Sequence, residues 1–103
     1  MTLLIHPAPQ SGLLRMEGTF TFEAHGPFKA ATTGLLERED LRAITLDLAG
    51  VTYMDSAALG MLLLLRERAE ARGLKVVLSR PAPTVRNILQ VVQFGKLFEI
   101  REG

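Results

Sequence analysis

The stretch ITLDLAGVTYMDSAALGMLLLLRERAEARG, from Ile44 to Gly73, decides how the whole chain reads. Ile44, Leu46 and Leu48 recur at every second position of a mostly apolar run, the pattern of an interior strand. A short loop ending in Asp55-Ser56 follows, and a long helix is expected from about Ser56 to Arg72, with Gly73 placed as its stop. A serine at a helix start is a common cap, because its oxygen accepts one of the N–H groups that the first turn leaves without a partner. Those N–H groups and the positive end of the helix dipole also suit a phosphoryl group. Function turns on whether Ser56 is a cap alone or also a switch.

Working outward, Leu3 to Ile5 reads as a short first strand. Leu14 and Met16 alternate with Arg15 and Glu17, a period-two strand over residues 13–17. Pro27 fits the first turn of a helix whose apolar positions are Phe28, Ala31, Thr32 and Leu35, with Glu37 to Asp40 as its polar end. Beyond Gly73, Leu74 to Leu78 is another apolar strand. Val85, Ile88, Leu89 and Val92 form a helical stripe, and Leu97 to Ile100 a last strand. Strands alternating with helices predict an α/β sheet, largely parallel in its second half.

The chain has 103 residues, which suits one domain. A hydrophobic share of 48% with 22% charged residues is ordinary globular composition. A formal net charge of +1 argues against duplex nucleic acid or an anionic membrane as partner. The absence of cysteine excludes disulfides and thiolate metal sites. The first residues lack the basic and long apolar regions of a signal peptide. The apolar run from Met61 to Leu65 is far short of the roughly 20 residues of a membrane span. A soluble, cytoplasmic protein is expected.

On the long helix, Ala58, Met61, Leu62, Leu65 and Ala69 share one face at 100° per residue, the natural core side. Leu59, Leu63 and Leu64 are left over. Either a neighbouring element covers them, or the face is rotated by one position, or they form an apolar patch beside Ser56 on which a partner docks. Gly60 costs about 1 kcal/mol relative to alanine inside a helix, so it implies close approach by the sheet or by a partner.

The segment from Asp47 to Gly60, DLAGVTYMDSAALG, resembles the signature of STAS domains of the anti-sigma factor antagonist type. The resemblance runs almost end to end. Gly18 to Phe22 occupies the place of the family's second-strand glycine segment, and Val85–Leu89 with Phe94–Phe98 resembles its third helix and last strand. It implies a single STAS domain over residues 1–103, a mixed sheet with helices mainly on one face. The chain stops at Gly103 without the C-terminal helix of longer members.

The resemblance also implies a partner switch. In the family, the serine after the aspartate is phosphorylated by an anti-sigma factor with a histidine-kinase-like ATPase fold, and a metal-dependent serine phosphatase resets it. Ser56 matches the acceptor and Asp55 the motif acid; Ala57, Ala58, Leu59, Gly60, Leu63 and Leu64 are the expected motif and partner-binding residues. The chain departs from the family pattern at Ala57-Ala58, which removes a second hydroxyl, and at Thr21, where an acidic residue is common. It departs again at Ala82-Pro83-Thr84, in place of a Ser-Pro cap. STAS-like domains also serve as unphosphorylated subunits of stress-sensing and lipid-transport complexes, the alternative reading.

Enzymatic readings are weaker. Ser56 lacks the G-x-S-x-G context of a hydrolase nucleophile, and two histidines with no tight acidic cluster are too few for a metal site. No acid lies between Thr2 and Gln10 to hold Mg²⁺ for a phospho-aspartate at Asp47 or Asp55, and no Gly-rich phosphate loop appears. No catalytic residue, cofactor, metal or membrane insertion is expected. Asp55 has a plainer role open to it, capping the long helix, beside that of assisting phosphorylation.

Overall fold

The computed structural model describes residues 2–8 and 11–102. In chain order the elements are β1 (Leu3–Ala8), β2 (Leu13–Phe20), a 3-10 turn (Phe22–Ala24), α1 (His25–Leu36), β3 (Ala43–Met54), α2 (Ser56–Glu70), β4 (Lys75–Ser79), α3 (Pro83–Val91), a second 3-10 turn (Phe94–Lys96) and β5 (Glu99–Arg101). They form a single α/β domain whose five strands lie in the order β1-β2-β3-β4-β5. The first pair is antiparallel and the other three are parallel.

Spatial order therefore equals chain order. Each helix carries the chain to the next parallel strand in one constant direction along the sheet. Right-handed crossovers that all step the same way put α1, α2 and α3 on the same face. The core lies between that face and the helices, with Leu14, Met16, Phe20, Ile44, Leu46, Leu48 and Leu78 from the sheet fully buried. Phe28, Leu62, Leu65, Val85 and Leu89 answer them from the helices.

The opposite face is a ladder of charge. His6 Nε2 lies 2.5 Å from Glu17, Arg15 donates to Glu17 at 3.2 Å, and Lys75 to Glu99 at 3.0 Å. At its centre Asp47 is 6% exposed, paired with Arg80 and accepting the Ala49 N–H at 3.0 Å. Burial pushes the Asp47 carboxyl up, but the Arg80 guanidinium and the Ala49 N–H, with Arg15 nearby, outweigh it and hold the group below its ordinary 3.8. A carboxyl lowered by folding stabilises the fold above its unfolded pKa, and that contribution is lost as pH falls through the folded value. Asp47→Asn is therefore expected to lose less stability than the wild type when urea melts are repeated from neutrality to below about pH 4. Asp40 and Glu99 are also lowered, by Arg38 and by Arg101 with Lys75, so the acid limb shrinks without vanishing. Equal acid limbs in both proteins would refute the assignment.

Several boundaries differ from the sequence reading. β3 runs on to Met54, where a loop was expected, because β2 keeps pairing with it to Phe20↔Met54. Two irregularities make this possible: β3 advances three residues between the Arg15↔Asp47 and Glu17↔Gly50 pairs, and two between Gly18↔Val51 and Thr19↔Tyr53. Each inserts one extra residue into β3, so its inward positions step from Leu48 to Val51 to Met54 instead of every second residue.

α2 ends at Glu70, two residues short of Arg72, and Gly73 at φ 71° then closes it. Its N–H meets the Glu70 carbonyl, and the Leu74 N–H meets that of Ala69. α3 starts with Pro83 after an Ala82 cap that offers no side-chain acceptor. Val92, expected in its apolar stripe, is the exposed C-cap residue. The last strand is Glu99–Arg101 rather than residues 97–100, and Leu97 ends an intervening turn.

Candidate functional site

The site is built where the longest strand hands over to the longest helix. β3 delivers Asp55 in extended conformation (φ −101°, ψ −179°), and its side chain caps α2 by accepting the Ala58 N–H at 2.9 Å. The cap is thus Asp55, and Ser56 is the first helical residue, a correction to the reading of Ser56 as the capping hydroxyl. Aspartate caps as well as serine does, and the residue that leaves the strand extended takes the role.

Asp55 does more than cap. Its second carboxylate oxygen accepts the Phe22 N–H at 3.1 Å, and its own N–H donates to the Phe20 carbonyl at 3.3 Å. One side chain therefore ties the start of α2 to the turn after β2. Asp55→Ala removes a cap and this tie together, and about 2 kcal/mol of stability is expected to go with them. A urea melt measures it, and Asp55→Asn, which keeps one acceptor oxygen, is expected to recover part of the loss.

Ser56 is exposed, and its hydroxyl makes no hydrogen bond among the described residues. Ala57 is half-buried. Ala58 is fully buried, so its side chain belongs to the core and presents nothing to the surface. Leu59 is half-buried and packed on the core. Leu63 and Leu64 are 39% and 48% exposed, which settles the three leftover leucines: the core face was placed correctly, and two of them face outward.

Gly60 is exposed too, and a Cβ built there meets nothing within 4 Å. The sheet is therefore not what comes close to it. Gly60→Ala is expected to raise the melting stability of the free protein by about 1 kcal/mol, the helix-propensity difference, because no contact opposes the added methyl. A loss of stability instead would show a cost that the open space does not explain.

Two residues of this surface escaped the sequence reading. Phe22 is 68% exposed and Tyr53 50% exposed, on the turn and the strand end that flank Ser56. Phe22, His25, Ala57, Gly60, Met61 and Leu64 line a cleft of about 330 Å³ between α2 and the start of α1. Phe22 stood in the segment Gly18 to Phe22 and Tyr53 inside the motif segment, but neither position said which side chain would face solvent.

Electrostatically the site is one-sided. Asp55 supplies a carboxylate directly beside Ser56, and no lysine or arginine is hydrogen-bonded to either residue among the described residues. Among those residues no group of three or more metal-binding side chains occurs, and no helix is long and apolar enough to cross a membrane.

Comparison with known proteins agrees with this architecture. A STAS-domain containing protein of Pseudomonas aeruginosa (strain UCBPP-PA14) is 40% identical over 89 residues, 84% of each chain. An anti-sigma factor antagonist from Mycobacterium paratuberculosis superposes with a TM-score of 0.74 at 19% identity, over 99% of this chain and 86% of its own. The antagonist SpoIIAA in its unphosphorylated form superposes at 0.69 and 20% identity, over 96% of this chain and 86% of its own. Its phosphorylated form, from Bacillus, superposes at 0.67 and 18%, over 96% and 90%. The family model described as "Mlab, STAS domain" matches residues 5–100, and the chain belongs to the STAS domain family.

Proposed function

We propose that the protein is an anti-sigma factor antagonist, a cytoplasmic binding protein without enzymatic activity. Unphosphorylated, it holds an anti-sigma factor with a histidine-kinase-like ATPase fold; phosphorylated on Ser56 by that partner, it lets go. A metal-dependent serine phosphatase resets it. The observation that carries this reading is an exposed serine hydroxyl on the first residue of α2, without a hydrogen bond among the described residues and bordered by an exposed apolar surface. Ala57, Leu59, Gly60, Leu63 and Leu64 form the docking face, and Phe22 and Tyr53 extend it. Asp55 holds Ser56 in place through its cap and tie, and Ala58 supports from beneath.

The topology supports a binding protein over an enzyme. Open parallel sheets place small-molecule crevices where strand order reverses and helices leave on opposite faces. Here the order never reverses. The same fold carries SpoIIAA in both phosphorylation states, which supports a switch that needs no refolding.

The second reading is a STAS subunit of a larger regulatory or lipid-transport complex in which Ser56 touches a partner without being phosphorylated. The matched family model, described by a domain rather than by a switch, favours keeping it in view. Mapping phosphate by mass spectrometry on protein isolated from its native cells under several growth conditions, beside Ser56→Ala, decides between them. Condition-dependent phosphate on Ser56 is expected. No phosphate under any condition, with stable copurification of a complex, favours the subunit.

A further inference from the structure

A second concave surface lies away from Ser56, between α3 and β5. Arg86 and Gln90 from α3, Gln93 and Lys96 from the turn that follows, and Ile100 and Glu102 from the β5 end line a cleft of about 370 Å³. That size falls among small recognition clefts. None of the residues assigned to the switch lines it.

The cleft already shows which chemistry it accepts. Arg86 donates to the carboxylate of Glu102 at 3.1 Å, so the chain's own acid occupies its arginine end. The other end is left open. Lys96 has no ion pair, and the Gln90 and Gln93 carboxamides have no hydrogen bond, among the described residues. Ile100 gives an apolar floor between the two ends. Among the described residues β5 pairs with β4 alone, so its second edge has main-chain groups to offer an extended chain.

We propose that this cleft is a docking groove for an acidic segment of a partner protein bound in extended conformation. Lys96 takes a carboxylate of the incoming segment, Gln90 and Gln93 hydrogen-bond its main chain or side chains, and Glu102 competes in cis for Arg86. The occupant is chosen by charge: the cationic groups exceed the single internal acid by one, and the unpaired one is Lys96. Because these are exposed charges, the complex is weak on its own and weakens further as salt screens it.

The test is a titration of the ¹⁵N-labelled full chain with an oligoglutamate peptide, with oligoglutamine and succinate as controls. Amide shifts at Gln90, Gln93, Lys96 and residues 99–101 are expected with oligoglutamate, and none with oligoglutamine. Lys96→Glu, at an exposed position, is expected to weaken the peptide about tenfold or more, from a reversed surface charge. Glu102→Gln is expected to strengthen it about threefold by releasing Arg86. Three results would overturn the proposal: no shift at the cleft, shifts spread over all the basic residues and untouched by Lys96→Glu, or succinate binding as tightly as the peptide. A Glu102→Gln protein that binds no better would remove the cis competition on which the arginine end rests. The readout uses the isolated protein, so it stands or falls independently of phosphorylation at Ser56.

Discussion

Ser56→Glu is expected to leave the melting temperature of the free protein within a few degrees of wild type while weakening the anti-sigma factor complex roughly thirtyfold or more. In the free protein two effects of similar size oppose each other. A carboxylate at the first residue of α2 faces the positive end of the helix dipole, worth about 0.3–1 kcal/mol. It also stands beside the Asp55 carboxylate, and two like charges about 4 Å apart in water repel by about 1 kcal/mol. In the complex water is gone and nothing replaces it. A charge buried at the start of α2 against a partner's apolar surface without a counter-ion costs at least about 2 kcal/mol. The phosphoryl group, with roughly −1.5 to −2 charges, is expected to act in the same direction and more strongly. Calorimetric titration of the partner with wild type, Ser56→Ala and Ser56→Glu measures the effect. Equal affinities for all three would end the switch reading and leave the subunit reading standing.

Gly12→Ala is expected to lose about 3 kcal/mol of stability, with a melting temperature more than about 10 °C lower. Gly12 turns the chain into β2 at φ 69°, where an alanine pays about 1–2 kcal/mol for its Cβ. A Cβ there would sit 2.6 Å from the Ala43 carbonyl oxygen. That carbonyl cannot step aside cheaply, because the Gly12 carbonyl is itself bonded to the Thr45 N–H at 2.8 Å and holds the two strand starts together. The same substitution at Gly60 has the opposite expected sign, since its Cβ enters open space on a regular helix. A thermal melt of the two alanine variants side by side tests the argument, and a Gly12→Ala loss below about 1 kcal/mol would contradict it.

Much of this was legible in advance, and the misses have identifiable causes. All five strands and all three helices stood in the hydrophobic pattern. The core face of α2 was right residue by residue, from Ala58 through Met61, Leu62 and Leu65 to Ala69. Helix periodicity survives because nothing interrupts it. The far half of β3 was missed because strand periodicity did not survive: two inserted residues move the buried positions out of step after Leu48, and the alternation then looks like a loop. The cap was left open between Ser56 and Asp55 because both are good capping residues, and only the backbone angles say which of them leaves the strand extended. Phe22 was read as part of a strand segment. Pairing stops at Phe20, and the turn that follows points the next aromatic at solvent. The orientation of Leu63 and Leu64 followed from which neighbours α2 has, which no single-helix pattern contains.

The monotonic strand order has a consequence for how the chain acquires its structure. No strand waits for a later one to be inserted between it and its neighbour, so each new parallel strand closes a loop of a single strand–helix–strand unit. Loop closure of that length is entropically mild, and contacts of modest sequence separation favour rapid folding. A chain emerging from its N-terminal end can add each unit to an edge that already exists, and α2, which carries Ser56, has its sheet partners once β3 and β4 have joined β2. The surface around Ser56 thus rests on strands and a helix that all precede β5 in the chain.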